Sequence, residues 1–375
     1  MAGIYIHIPF CRSRCVYCGF YSTTSLELRQ RYVDAVCREM ELRGERIESS
    51  EERISTIYLG GGTPSQLTIE QLRQLFIYIN KVYPLTSNTE ITIEVNPDDV
   101  TAEYAALLQQ FPINRISMGI QTFDDQRLRF LHRRHTATQA IEAVDRLRAA
   151  GFQNISIDLM YGFPGETLAD WEADIEAALA LNVEHLSAYC LMIEEGTPLY
   201  RMLRQHKGDC PQCVDEETER SMYYTLIDRL AAADYEHYEI SNFARPDFRS
   251  RHNSSYWNGT PYIGLGAAAH SYDGRSRSWN VADITAYIEG IEQGKRLFEE
   301  ELLDDDTRYN DTITVTLRTK EGLDLSLLSD KHKDYCMKNA RRYLDDGLLE
   351  LTSHLRLTRR GLFVSDMVMS DLMMV

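Results

Sequence analysis

Two hydrophobic periods alternate along the first two hundred residues. Short β-branched and apolar runs fall at 4–8, 55–59, 90–95, 115–120, 154–160 and 185–191, the length and composition of strands. Between them the period lengthens over 26–43, 69–82, 102–109, 138–150 and 168–181, which predicts helices. Thr101 and Thr167 stand at N-cap positions and Gly151 at a helix stop. Strands and helices that alternate in this way build parallel βαβ units. The fold class expected is α/β, a partial (β/α)6 TIM-like barrel over residues 1–200.

Active sites of parallel barrels lie at the C-terminal ends of the strands, and the unusual residues collect there. A cysteine-rich loop follows the first predicted strand, and Gly60-Gly61-Gly62-Thr63-Pro64 follows the second. Asn96-Pro97-Asp98 follows the third, Gln121 ends the fourth, and Tyr161-Gly162-Phe163-Pro164-Gly165 follows the fifth.

Residues 201–300 are less regular and read as a separate region packed on the barrel. From about Thr307 a helical pattern leads to Leu348-Leu349-Glu350-Leu351 and a second short strand at 355–358. Helix, hairpin and final helix predict a small winged-helix-like α+β module over 301–375.

Composition narrows the function. The 375 residues carry a formal net charge of -17, which argues against a nucleic-acid partner because phosphate binding needs a basic face; the basic cluster at 127–134 is the local exception. The first residues lack the pattern of a signal peptide, and no apolar run approaches the roughly 20 residues that span a bilayer. Eight cysteines in such a chain suit a reducing compartment better than a disulfide framework. A cytoplasmic protein is expected.

Cys11, Cys15 and Cys18 form a C-x3-C-x2-C loop. That spacing lets one tight loop aim three thiolates at a 4Fe–4S cluster and leave the fourth iron open for a ligand. Zinc is the weaker alternative, since a structural site wants a fourth ligand and usually paired C-x2-C units. Gly61 and Gly62 allow a ligand close to backbone amides, although a tight βα turn explains glycines equally well. Glu94 and Asp158 could hold an ammonium or ribose hydroxyl, or be solvated rim carboxylates. Arg133, in the basic turn Leu131-His132-Arg133-Arg134-His135, could pair with a ligand carboxylate or lie on a solvated helix face.

The cysteine loop, Gly-Gly-Thr-Pro at 61–64 and the run Glu94-Val95-Asn96-Pro97 together resemble the radical S-adenosylmethionine (SAM) superfamily. The resemblance covers nearly the whole chain. It narrows to the oxygen-independent coproporphyrinogen oxidase group through Tyr5-Ile6-His7-Ile8-Pro9-Phe10-Cys11, Ser117-Met118-Gly119-Ile120-Gln121 and Asp158-Leu159-Met160-Tyr161-Gly162. It implies a 4Fe–4S cluster on the three cysteines, and SAM held by Tyr5, Gly61, Gly62, Thr63, Glu94, Gln121, Arg133 and Asp158.

Two departures choose the branch. The oxidase has a fourth cysteine two places after the third, where this chain has Phe20, and it has an extension before its first strand, which here begins at residue 4. Both features, and the run His252-Asn253-Ser254-Ser255-Tyr256-Trp257, resemble the heme-chaperone branch of the group. Heme is then the third cofactor. The partners implied are an acceptor hemoprotein such as a respiratory cytochrome, an electron donor and a second copy of the chain, with transient membrane association.

A histidine can ligate heme iron axially, and aromatic rings can face a porphyrin. His252, with Asn253, Tyr256 and Trp257, is the first candidate, against a packed loop on the barrel; His270 is the second, against a satisfied core histidine. The alternative function is an enzyme acting on a tetrapyrrole, by decarboxylating coproporphyrinogen III or by opening heme anaerobically. Cys210-Pro211-Gln212-Cys213, with His206 upstream, reads as a surface loop rather than half a metal site, and Cys37, Cys190 and Cys336 as lone thiols.

Overall fold

In the computed structural model, residues 2–44, 53–205 and 213–374 are described; His206 and Cys210 lie outside them. Six strands form the expected parallel array in chain order: β1 (Ala2–Ile8), β2 (Ile54–Gly61), β3 (Leu85–Val95), β4 (Arg115–Gln121), β5 (Ile155–Tyr161) and β6 (His185–Cys190). The helices between them are α1 (Arg29–Gly44), α2 (Ile69–Val82), α3 (Ala102–Leu108), α4 (Asp125–Phe130), α5 (Ala137–Ala149) and α6 (Leu168–Ala180).

Local chemistry starts α2, α3, α5 and α6 within a residue of the expected positions; α4 is an addition to the expected set, and α1 begins at Arg29 after a short 3-10 turn at Leu26–Leu28. Thr68 and Gln71, Thr136 and Gln139, and Thr167 and Asp170 each form a capping box, which satisfies two otherwise orphaned amides at each helix start. Thr101 caps α3 through the Tyr104 amide. Inward faces of the helices and both faces of the strands merge into one core that includes Ile4, Ile6, Leu59, Ile93, Ile116, Ile157 and Trp171. Burying one such side chain contributes about 1.5–3 kcal/mol.

Beyond β6 come α7 (Pro198–Gln205) and α8 (Glu216–Ala232). The chain then adds six strands to the same sheet. On the β6 edge lie β7 (Glu236–Glu239) and β8 (Asn242–Ala244), with β8 antiparallel to β6. After α9 (Arg251–Trp257), β9 (Tyr262–Leu265) pairs parallel with β1 on the opposite edge. Three antiparallel strands extend the sheet outward: β10 (His270–Tyr272), β11 (Ser276–Asn280) and, after α10 (Ile284–Glu292), β12 (Phe298–Leu302). The segment expected to pack on the barrel therefore continues its sheet, and its last strand ends beyond residue 300.

Glu39 on α1 anchors this extension. Its fully buried carboxylate accepts from the Gly266 amide at 2.9 Å, Asn280 Nδ2 at 2.9 Å and the Tyr287 hydroxyl at 2.7 Å. Arg43 lies 3.3 Å from it.

The chain ends in α11 (Asp305–Leu317), α12 (Asp330–Asp345), the hairpin β13 (Leu349–Leu351) and β14 (Leu355–Leu357), α13 (Arg359–Phe363) and α14 (Ser365–Leu372). These elements share their own core, with Tyr309, Ile313, Leu317, Cys336, Tyr343 and Leu355. Arg318 ties it to the sheet: its carbonyl accepts from the Ile240 amide at 3.0 Å, and its guanidinium donates to buried Glu239 at 3.1 Å.

Candidate cofactor site at the barrel mouth

Parallel register brings the C-terminal strand ends to one rim. The cysteine loop leaves β1, passes over the mouth and closes on its own base, with the Cys11 amide on the Thr23 carbonyl at 2.9 Å and the Thr23 amide on the Pro9 carbonyl at 2.7 Å. A cavity of about 170 Å³ opens beneath it, lined by Cys11, Cys15, Cys18, Gly61, Gly62, Thr63, Glu94, Asn96, Ser117, Gly119, Gln121, Arg133 and Asp158. The three thiols and all but one of the residues proposed for SAM therefore share one chamber. The three cysteines are free and half-buried. Burial pushes the Cys11 thiol up, against a 3.5 Å contact with the Thr63 hydroxyl, and it also raises Cys18.

Backbone crowding explains the glycines. Gly61 has φ +111, a left-handed conformation, and a Cβ at Gly62 would sit 2.7 Å from the Pro9 carbonyl carbon. The turn must pass directly under the first residues of the cysteine loop, so the pair is a structural necessity here besides being open to the cavity.

Glu94 is fixed from two sides. Its carboxylate accepts the Tyr58 hydroxyl at 2.8 Å and the Gly61 amide at 3.0 Å. Burial pushes its pKa up to about 7, the Tyr58 hydrogen bond opposes this, and the nearby Asp158 adds to it. Burial likewise raises Asp158, against hydrogen bonds from Ser187 and Ser117.

Arg133 is the one side chain of the basic turn that enters the chamber. It donates to Asn96 Oδ1 at 3.0 Å and to the Gly119 carbonyl, and reaches within 3.7 Å of Cys15 Sγ. Its Nε is buried without a hydrogen-bond partner. Arg134 turns away to Asp98 and Asp99, and His135 to the Ile120 carbonyl. Gln121 takes φ +75 where the pairing of β4 with β5 shifts register, and its amide lies over Gly119.

Tyr5 is the exception. It lies a layer deeper, with its hydroxyl 3.1 Å from His7 Nδ1 and its ring against Tyr58. The sequence places Asn96 at the end of the third strand without giving it a role, and it gives none to Ser117 and Gly119, which also line the cavity. Asn96 lies two positions after Glu94, and Ser117 and Gly119 alternate with the core residues of β4, so strand periodicity carried the signal.

The two heme candidates have opposite surroundings. His252 is 1% exposed and plugs the barrel floor. Its Nδ1 pairs with Thr56 Oγ1 at 2.9 Å, its Nε2 with the Tyr256 hydroxyl at 2.9 Å, and its ring stacks on Tyr58. Burial, then the Arg115 charge, lowers its pKa to about 3. Both ring nitrogens are taken, so axial ligation by His252 would require this floor to open. Asn253 is half-buried on the same helix, and the Trp257 ring lies 4.2 Å from the Arg318 guanidinium. His270 instead is exposed, stacked on Trp279 with centroids 5.7 Å apart. Cys213 is exposed, Cys37 and Cys336 are buried, and Cys190 is half-buried.

A largely parallel sheet with a three-cysteine loop over its mouth defines the radical SAM class, and the superfamily model matches residues 5–178. A model described as the HemN C-terminal domain matches residues 303–364. The chain belongs to the HemW heme chaperone family within that superfamily. It is 36% identical over 336 residues to the heme chaperone HemW of Bacillus subtilis, covering 88% of this chain and 87% of that protein. It is 34% identical over 380 residues to that of Mycobacterium tuberculosis, covering 99% and 94%. The solved coproporphyrinogen III oxidase HemN of Escherichia coli superposes with a TM-score of 0.83 at 23% identity, over 99% of this chain and 90% of that one, a likeness of fold.

Membership implies a 4Fe–4S cluster and SAM, and the chamber fits both. Three free thiols face one cavity, whose lining also includes Arg133, with a buried Nε that has no hydrogen-bond partner, and the doubly anchored Glu94. Among the described residues no three His, Cys, Asp or Glu side chains form a ready-made single-ion site. A cubane asks for a wider spread, because each thiolate binds a different iron.

Proposed function

We propose that this protein is a heme chaperone that binds heme and passes it, chemically unchanged, to an acceptor hemoprotein such as a respiratory cytochrome. Cys11, Cys15 and Cys18 would hold the 4Fe–4S cluster. Gly61, Gly62, Thr63, Glu94, Gln121, Arg133 and Asp158 would position SAM in the chamber, with Tyr5 bracing it from below. The cluster supplies one-electron chemistry when reduced by a donor protein. The chain's own residues would orient SAM: Glu94 and Asp158 would accept from its amine or a ribose hydroxyl, and Arg133 would pair with its carboxylate.

The observation that carries the reading is sequence likeness to heme chaperones along the whole chain. Phe20 supports it: the ring is 69% exposed at the lip of the cysteine loop, where the related oxidase has a fourth cysteine. Among the described residues no helix is long and apolar enough to cross a membrane. Any work at a membrane respiratory complex would then be by transient contact, and a cluster-supported homodimer belongs to the same proposal.

The test uses anaerobically reconstituted protein with reductant and SAM, given heme or coproporphyrinogen III, and an apo-cytochrome as acceptor. Unaltered heme appearing in the acceptor supports the chaperone. Conversion of either tetrapyrrole, coupled to 5′-deoxyadenosine in the mass spectrum, would replace it with an enzyme of coproporphyrinogen decarboxylation or heme ring opening.

A further inference from the structure

A carboxylate just outside the cofactor chamber ties the segments of its rim together. Asp99 ends the short turn Pro97–Asp99 that follows β3. Its side chain is 5% exposed, yet it is not among the residues that line the cavity. One of its oxygens accepts from Ser65 Oγ at 2.7 Å and from Gln66 Nε2 at 2.5 Å. The other accepts from the Arg134 guanidinium at 3.1 Å. The loop after β2, the turn after β3 and the turn before α5 therefore meet on one buried charge.

Each partner of Asp99 leads to a chamber residue. A carboxylate can only accept, so Gln66 must turn its NH2 to Asp99 and its oxygen outward. That oxygen receives Arg12 Nε at 2.9 Å, and Arg12 follows Cys11 in the cysteine loop. Ser65 Oγ accepts the Asn96 amide at 3.3 Å, and Asn96 Oδ1 receives Arg133 at 3.0 Å. Arg134 follows Arg133 directly.

The turn that carries Arg133 needs such an anchor. His132 has φ +60, a left-handed conformation that a residue with a Cβ adopts only at a cost. The Arg133 amide closes one side of the turn on the Leu128 carbonyl at 2.9 Å. Bridges from Arg134 to Asp98 at 2.5 Å and to Asp99 at 3.1 Å hold the other side. Arg133 thus leaves a strained backbone in one direction, and its neighbour fixes that direction from outside.

Taking Arg133 as the partner of the SAM carboxylate, as proposed above, we infer that Asp99 is a positioning residue for SAM. It aims Arg133 through Arg134 and braces the Cys11 end of the cluster loop through Gln66 and Arg12. Asparagine at this place keeps the shape but exchanges one acceptor for a donor. Its NH2 group must then face either the Ser65–Gln66 pair or Arg134, and that side of the junction opens.

The experiment measures SAM binding by calorimetry on anaerobically reconstituted wild type, Asp99→Asn, Arg133→Gln and the double variant. Iron and sulfide content, a melt, and the SAM-induced change in the electron paramagnetic resonance of the reduced cluster are recorded for each. Asp99→Asn should keep its cluster, bind SAM about tenfold more weakly, as for one lost charged hydrogen bond, and show a smaller spectral change. In the Arg133→Gln background the same substitution should cost about threefold or less, because most of its effect travels through that side chain. Wild-type SAM affinity in cluster-loaded Asp99→Asn, or the same loss in both backgrounds, would overturn the role and leave the cofactor assignment standing. Where Asp99→Asn does not fold or load its cluster, Arg134→Gln, on a partly exposed side chain, decides the question by the same two criteria. A wild type that loads no cluster or binds no SAM would bring down the cofactor assignment itself, and this role with it.

Discussion

Tyr58 donates its hydroxyl to Glu94 at 2.8 Å, and this bond eases the loss of a proton that burial makes difficult. Burial holds the Glu94 pKa at about 7 and Tyr58 pulls against that rise. Because the folded value is raised, the ligand-free protein holds a proton there that the unfolded chain has lost. Stability from this group is therefore present at low pH and is lost as pH rises from about 4.5 through 7.

A ligand whose amine donates to Glu94 draws it to the carboxylate. SAM affinity should rise with pH through about 7, with proton release on binding. Tyr58→Phe should move the midpoint upward. Glu94→Gln should abolish the proton release and weaken binding by about tenfold to a hundredfold, the worth of a charged hydrogen bond. Calorimetry in buffers of different ionisation enthalpy reads both; a pH-independent affinity in the wild type would refute the coupling.

Replacing any one of Cys11, Cys15 or Cys18 by alanine should remove the iron–sulfur absorption and acid-labile sulfide after reconstitution. The apo-protein should stay folded, because these half-buried side chains lie in a loop outside the core; the expected cost is within about 1 kcal/mol. Denaturant melts and iron analysis separate the two effects, and a cluster that survives all three substitutions would refute the ligand set.

His252 should behave as a structural group. Its folded pKa, depressed from 6.5 to about 3, means its contribution is present above the ordinary value and is lost as pH falls towards the folded one. Wild-type stability should therefore decline below pH 6.5, with a slope from this group of at most about 1.4 kcal/mol per pH unit. His252→Gln should flatten that slope and cost about 1–3 kcal/mol through the broken pairs with Thr56 and Tyr256. An unchanged acid profile would argue against the buried, neutral ring.

Glu39→Ala should cost about 3–5 kcal/mol, because it strips a buried charge from Arg43 and orphans three donors. Hydrogen exchange should show the loss first in β9 to β11, and Glu39→Gln should recover part of it. Equal protection in the Ala variant would disprove the anchoring role.

Much of the barrel is legible in the sequence, for physical reasons. The core strands are buried on both faces, so they read as continuous apolar runs, and their Thr-initiated helices announce their own starts. The chain beyond residue 200 hides its strands. Those such as β8 and β10 span three residues, too short to show a period, and β12 is Phe-Glu-Glu-Glu-Leu, exposed throughout. Pairing with a long-range neighbour, rather than any local pattern, makes them strands. At the site, Glu94 and Arg133 could be placed because strand ends converge in any parallel barrel. The depth of Tyr5 could not, since inward residues of one strand look alike in sequence. Nor could His252 and His270 be told apart, because a histidine among aromatics reads the same whether it plugs a floor or faces solvent.

The pairing of β9 alongside β1 has a mechanical consequence. Without it, the strand that launches the cysteine loop would be the rim of an open array, free to splay. With it, β1 runs through the interior of a twelve-stranded sheet, clamped along both edges by β2 and β9, and the thiol loop hangs from a plank that is nailed down on both sides.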